Sequence, residues 1–192
     1  LEASSINLAT SIIFVSIFLF FNVFRTFWLQ PNNTKLYAMT LAHLGVATIM
    51  LAISVNALGS LTAEKVLRLD QQHTFHGFNI KLEDAYAFET DNYVAKAASI
   101  AIQKQANGKP TMLYPEIRLY PVEQQQTSEA AIMRHPLYDL YISLIELEAD
   151  GSAVLRLYYK PFISWLWLGC ALIAMAGVYS ILCIILRSRH HR

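Results

Sequence analysis

Cysteine is almost missing from this chain: among 192 residues only Cys170 and Cys183 occur. Thirteen residues of helix would hold the two thiols about 20 Å apart, beyond disulfide reach. Both fall in an apolar run and read as small buried hydrophobes. The long polar segment in the middle has no cysteine, so a core of its own must hold it. Charge is missing too, from three long stretches. About Ile6 to Phe24, Leu36 to Leu58 and Phe162 to Leu186 contain no Asp, Glu, Lys or Arg, which excludes an ordinary soluble domain. There is no nucleophile elbow, glycine-rich phosphate loop, zinc-ligand spacing or carboxylate pair, so no self-sufficient catalytic constellation is visible. The middle segment has no Lys/Arg cluster, and nucleic acid drops out as a partner.

What is present is apolar: 55% of residues are hydrophobic and the mean hydropathy is +0.35. About 20 apolar residues rising ~1.5 Å each cross the hydrocarbon as a helix. Three transmembrane spans are therefore predicted, at about 6–28, 36–58 and 161–186. The loop after the first span carries Arg25 and Lys35 without an acid, and the tail carries Arg187, Arg189 and Arg192, again without one. Between Gly59 and Lys160 there are ten bases and thirteen acids. Short basic flanks stay in the cytoplasm while long loops cross regardless of charge. The expectation is a hairpin over 1–59, an exported domain over 60–160, and a last span with a basic tail over 161–192. The opening Leu1-Glu2, with neither Met nor a basic flank, suggests a fragment, a split subunit or an incompletely covered chain.

The exported segment alternates in the manner of strands. Within Phe75–Leu82, Phe78, Ile80 and Leu82 share one face. Ile117, Leu119 and Pro121, and then Val154 to Tyr158, are further strand-like runs. Asn107-Gly108 and Asp150-Gly151 are turn signals. Thr127 to Ile132 reads as a short helix. Some seven strands predict a small barrel or sandwich inserted between the second and third spans. Pro161 suits the first turn of the third span. Trp165 and Trp167, with Tyr158 and Tyr159, form an outer aromatic belt, and Arg25 to Trp28 an inner anchor. Asn32-Asn33-Thr34 matches a glycosylation acceptor but falls on the cytoplasmic side.

His43 is the one imidazole in the three spans. Intramembrane ionisable groups face a cavity, a partner or a pathway. His43 could therefore ligate a metal or haem, relay a proton, or hydrogen-bond a neighbouring helix. The small residues Ala38, Ala42, Gly45 and Ala47 around it permit close helix packing or clearance for a flat ligand. His73 and His76, three apart in an expected strand, point to opposite faces. His135, before Pro136, reads as structural, and His190 and His191 as solvated.

Several stretches taken together resemble the C-terminal part of the CcmF family of cytochrome c maturation haem lyases. They are Met39 to Ala47, Pro115 to Pro121, Ser128 to Ile132, Asp139 to Leu144 and Arg156 to Gly169, in that order and spacing. The resemblance covers about residues 36–186, and only about the last third of the usual protein. It implies a haem b held in the membrane by two histidines from different helices, one of them matching His43, with the second ligand outside this chain. It implies a role in attaching haem covalently to apocytochrome c in a bacterial inner membrane, or the mitochondrial one, with residues 60–160 in the periplasm. The implied partners are the remaining N-terminal part of the lyase, a haem chaperone of the CcmE type, an apocytochrome-handling component of the CcmH type, and membrane lipid. The family's tryptophan-rich segment and its flanking histidines are not in this sequence, so no ligation by this chain alone is expected. The chain also departs from the family at Gln126-Thr127, where Met-Thr is usual, and at Tyr138, where Arg is usual. The competing reading is a non-catalytic membrane scaffold whose exported domain docks partner proteins.

Overall fold

The computed structural model describes residues 3–30, 35–104 and 108–189. The turn with Asn32-Asn33-Thr34, Asn107 of the expected turn, and His190, His191 and Arg192 lie outside the described residues. The three apolar runs are helices: α1 (Ala3–Leu29), α2 (Lys35–Gly59) and α3 (Ile163–Arg189). All three are long and apolar enough to cross a membrane. Two compact units result. One comprises the residues up to Ser60, His135–Tyr138 and those from Pro161 onward; the other comprises Leu61–Arg134 with Asp139–Lys160.

In the helical unit, α1 and α2 run in opposite senses. Phe27 lines a groove with Tyr37, while Leu19 lines one with His43. The α2–α3 packing is dictated by glycine. A Cβ added at Gly45 would sit 2.7 Å from the Gly169 carbonyl oxygen, and one at Gly169 2.5 Å from Ile49. Only hydrogen fits at either position, so the two backbones touch. Asn56, near the end of α2, donates from Nδ2 to the Pro161 carbonyl at 3.2 Å and accepts from Ser60 at 2.8 Å. Trp165 Nε1 donates to the Pro136 carbonyl at 2.7 Å, and the Phe162 N–H to the Leu137 carbonyl at 2.9 Å.

The second unit is a β-sandwich. Its strands are β1 (Leu61–Leu67), β2 (Gln72–Phe75), β3 (Phe78–Glu89), β4 (Val94–Gln103), β5 (Thr111–Leu113), β6 (Glu116–Tyr120), β7 (Gln125–Glu129), β8 (Ala131–His135), β9 (Tyr138–Leu147) and β10 (Ala153–Pro161). One sheet has the order β1-β10-β9-β8, the other β2-β3-β4-β6-β7 with β5 also on β4. The core follows the two-residue period of a pleated strand: Phe78, Ile80 and Leu82 from β3, Ile100 and Ile102 from β4, Leu140, Ile142 and Leu144 from β9, Leu155 and Leu157 from β10, all essentially sealed from solvent.

Several expectations are corrected. The short helix expected over Thr127 to Ile132 is instead the end of β7 and the start of β8. Ser128 pairs with Ile117, and its hydroxyl meets that of Ser143 at 2.7 Å, so sheet pairing outweighs local helix propensity. Ten strands are described where about seven were expected. His73 and His76 do not share a strand: His76 and Gly77, at φ 46° and 79°, form the two-residue turn joining β2 to β3. Pro161 ends β10 instead of opening α3, and Phe162 makes the joint alone, with φ 56°. Cys170 and Cys183 are exposed, not buried, because α3 packs on α2 through its Gly169 and Ile173 side.

Candidate functional site

His43 lies on α2 two residues before Gly45, about 200° around the helix from the α3 contact. It is exposed on the surface of the helical unit, beside a small cavity of 150 Å³ lined by Leu19, Asn22, Val23, Thr26, Met39 and Thr40. Its Nδ1 is 2.7 Å from the Met39 carbonyl one turn back. A carbonyl only accepts, so Nδ1 carries the proton and donates, and the Nε2 lone pair is left as an acceptor or ligand. That is the arrangement in which a backbone group orients a metal-ligating imidazole and fixes its tautomer. Among the described residues Nε2 has no hydrogen-bond partner, so the interhelical bond weighed from sequence is not made there.

The neighbouring polar groups satisfy themselves locally. Asn22 Nδ2 donates to the Phe18 carbonyl at 2.8 Å, and Thr40 Oγ1 to the Leu36 carbonyl at 2.7 Å. Asn22 went unweighed in the sequence. An amide inside an apolar run was the available signal, but only the α1–α2 pairing brings it beside His43. On the other side of the same helix pair lies a 590 Å³ aromatic groove that includes Phe20, Phe24, Phe27 and Tyr37. Val23 and Thr40 line both spaces.

Among the described residues, no other histidine lines the cavity beside His43. The His76 ring lies 4.2 Å from that of Tyr159. His135 stacks on Tyr138 at 4.3 Å, and its Nδ1 accepts the Leu137 N–H at 3.2 Å. His73 pairs with Ile80 in the β2–β3 ladder. No cluster of three metal-ligating side chains exists among the described residues. The donor set for a metal or haem here is one imidazole, which fits one axial position.

The sandwich carries charge in short local pairs. Lys81 Nζ meets Asp70 at 2.8 Å and Glu83 at 3.0 Å, and the hydrogen bonds to Asp70 and then Glu83 hold its ammonium above the ordinary lysine range. Arg118 bonds Glu116 at 2.9 Å and lies 4.8 Å from the Tyr93 ring centre. Arg156 pairs with Glu64 across the β1–β10 ladder. Burial pushes the Tyr141 phenol up. None of these shifts creates an acid–base pair in a cleft.

Comparison with known proteins supplies the decisive observation. The family model described as the CcmF C-terminal beta-sandwich matches residues 60–161, more than half of the chain and the whole of the ten-strand sandwich. The chain belongs to this family. Among CcmF relatives, the cytochrome c-type biogenesis protein CcmF of Haemophilus influenzae is 34% identical over 143 residues, 74% of this chain and 22% of its own length. CcmF of Pseudomonas fluorescens is 33% identical over 156 residues, 79% of this chain and 23% of its own. The NrfE biogenesis protein of Haemophilus influenzae is 30% identical over 164 residues, 83% and 25% respectively. The chain thus spans about a quarter or less of the length of these relatives. A solved structure titled cytochrome c heme lyase CcmF superposes with a TM-score of 0.65 at 19% identity, covering 77% of this chain and 24% of that one. That match establishes the shared fold.

Proposed function

We propose that this chain is the C-terminal fragment or a split subunit of a cytochrome c haem lyase, with His43 as one axial ligand of a membrane-embedded haem b. The observation that carries the reading is the His43 imidazole. Its Nδ1–H is donated to Met39, and its Nε2 is presented at the surface of a membrane-spanning helix with no partner among the described residues. The backbone bond would hold the ring plane and raise the basicity of Nε2, and α2, clamped to α3 at Gly45, would hold its depth. A bound haem would supply reversible one-electron chemistry at a potential set by its axial ligands. The second ligand would come from outside this chain.

On this reading the sandwich lies on the periplasmic side of the bacterial inner membrane, and the Lys35 end of α2 and Arg187 end of α3 lie in the cytoplasm. Haem attachment to apocytochrome c belongs to the whole assembly, with the rest of the lyase, a CcmE-type haem chaperone and a CcmH-type component as partners. The test is the absorbance of the assembled protein. His43→Ala should abolish the b-type spectrum while the protein still accumulates in the membrane. An unchanged spectrum would overturn the assignment.

One feature favours a docking role for the sandwich as well. Opposite residues in its ladders place Tyr86, Phe88 and Arg118 on one sheet face, where the Tyr86 and Phe88 rings lie 6.0 Å apart and those of Tyr93 and Tyr120 5.5 Å apart. Aromatic rings with an arginine suit a protein interface. Tyr93→Ala with Tyr120→Ala should weaken recovery of the partner components while leaving the haem spectrum in place; undiminished recovery would remove the docking role from this face.

A further inference from the structure

Beyond Gly45 and Gly169, α2 and α3 bound a groove of 470 Å³ whose lining includes Ala38 from α2 and Tyr179, Ile184 and Leu186 from α3. Arg187 lines it too, at the last residue of the third span. The apolar walls suit hydrocarbon, and Ala38 leaves room that a larger side chain would occupy. The charge is what selects among apolar occupants. No Asp or Glu occurs in the described residues of the helical unit, so Arg187 has no carboxylate there. The same flank of the spans carries Arg25, Lys35 and Arg189 as well. An apolar helix laid in this groove would bury the aliphatic walls and leave the guanidinium without an anion. Inorganic phosphate would pair with the guanidinium and leave the walls bare. A phospholipid answers both, because a guanidinium binds phosphate oxygens in a bidentate fork and basic recesses between spanning helices bind anionic headgroups.

We propose that the α2–α3 groove ending at Arg187 binds a single anionic phospholipid, its phosphate on the Arg187 guanidinium and an acyl chain against Ala38, Ile184 and Leu186. The proposal depends on the helices spanning a bilayer and not on His43 or haem; the proposed topology adds only that the lipid belongs to the cytoplasmic leaflet. The site would tie α3 to α2 at the Ala38–Arg187 end of the pair, beyond the glycine contact.

The test uses the complete membrane protein, purified in mild detergent and washed until bulk lipid is gone. Native mass spectrometry then counts retained lipid, before and after titration with phosphatidylglycerol, phosphatidylcholine and inorganic phosphate. One anionic phospholipid per chain should remain, phosphatidylglycerol should refill a stripped site, and neither phosphatidylcholine nor inorganic phosphate should compete. Arg187→Gln should weaken retention about tenfold, the scale of one charge-assisted hydrogen bond. Ala38→Phe should do the same with the arginine intact, and Arg187→Lys should restore part of it. Equal retention in wild type, R187Q and A38F, or no retained lipid in the wild type, would overturn the proposal, as would a helix of the same assembly cross-linking into the groove. The b-type absorbance is read in parallel: lipid loss with absorbance intact leaves the haem reading standing, and absorbance lost in H43A with lipid retained does the reverse.

Discussion

Phe162 has a left-handed backbone at φ 56°, a conformation that costs a bulky side chain roughly 1–3 kcal/mol. Its ring recovers part of that against Trp165, 5.0 Å away, and its N–H caps the turn through Leu137. Phe162→Gly separates the two effects: if packing dominates, thermal unfolding in detergent should move to lower temperature, whereas an upward shift would mean that strain dominates. Ser54 poses a simpler question, since its hydroxyl is buried in α2 with no hydrogen-bond partner among the described residues. An unpaired buried hydroxyl stabilises nothing, so Ser54→Ala should be neutral or raise the melting temperature; a clear drop would reveal a partner contributed by the rest of the assembly. Asp150 accepts hydrogen bonds from the Ser152 hydroxyl at 2.6 Å and N–H at 2.9 Å, which hold its carboxyl below the ordinary range. Its contribution to stability is therefore complete above about pH 4 and lost as pH falls through the lower folded value. Asp150→Asn should flatten that acid-side decline in a melting-temperature profile, and an unaltered decline would assign it to other carboxylates.

At the scale of elements, the glycine crossing is the feature most open to test. Gly169→Ala places a methyl 2.5 Å from the Ile49 side chain and 2.8 Å from the Gly45 carbonyl, and the carbonyl cannot yield without moving α2. Overpacking of this kind costs about 1–3 kcal/mol. Reduced thermal stability and faster proteolysis between α2 and α3 are expected, and wild-type behaviour would mean the helices part freely. Gly77, at φ 79° with open space where a Cβ would go, is limited by its backbone alone, so Gly77→Ala should cost only about 1 kcal/mol. The spans and the core strands were legible because their signals are local: twenty-odd residues without charge, and apolar residues every second position. The β7–β8 segment was not, because Ser128-Glu129-Ala130-Ala131 prefers helix locally, and only pairing with β6 and the Ser128–Ser143 contact make it sheet. His76 in its turn and Pro161 at the end of β10 were misplaced for a related reason. Positive φ at His76 and Phe162 leaves no periodic trace.

For the whole molecule, topology is the first thing to establish. With Cys170 and Cys183 replaced by alanine, Val122→Cys, at 89% exposure in the sandwich, should react with a membrane-impermeant maleimide applied from the periplasmic side. Labelling only after lysis would invert the proposed orientation. Composition and charge pattern alone determined that the chain has three spanning helices, a strand-rich insert between the second and third, and a solitary intramembrane histidine. These follow from the cost of charge in hydrocarbon and the two-residue period of a strand, both properties of short segments. The tertiary structure alone decided that the insert is a sandwich rather than a barrel, and that Asn22 lies beside His43. It also decided that His43 faces away from α3 and that Arg187 borders an apolar groove, with no partner for Nε2 and no counter-charge for Arg187 among the described residues. Each of these depends on which helix or sheet face meets which, and a run of apolar residues does not specify that until its neighbours are in place.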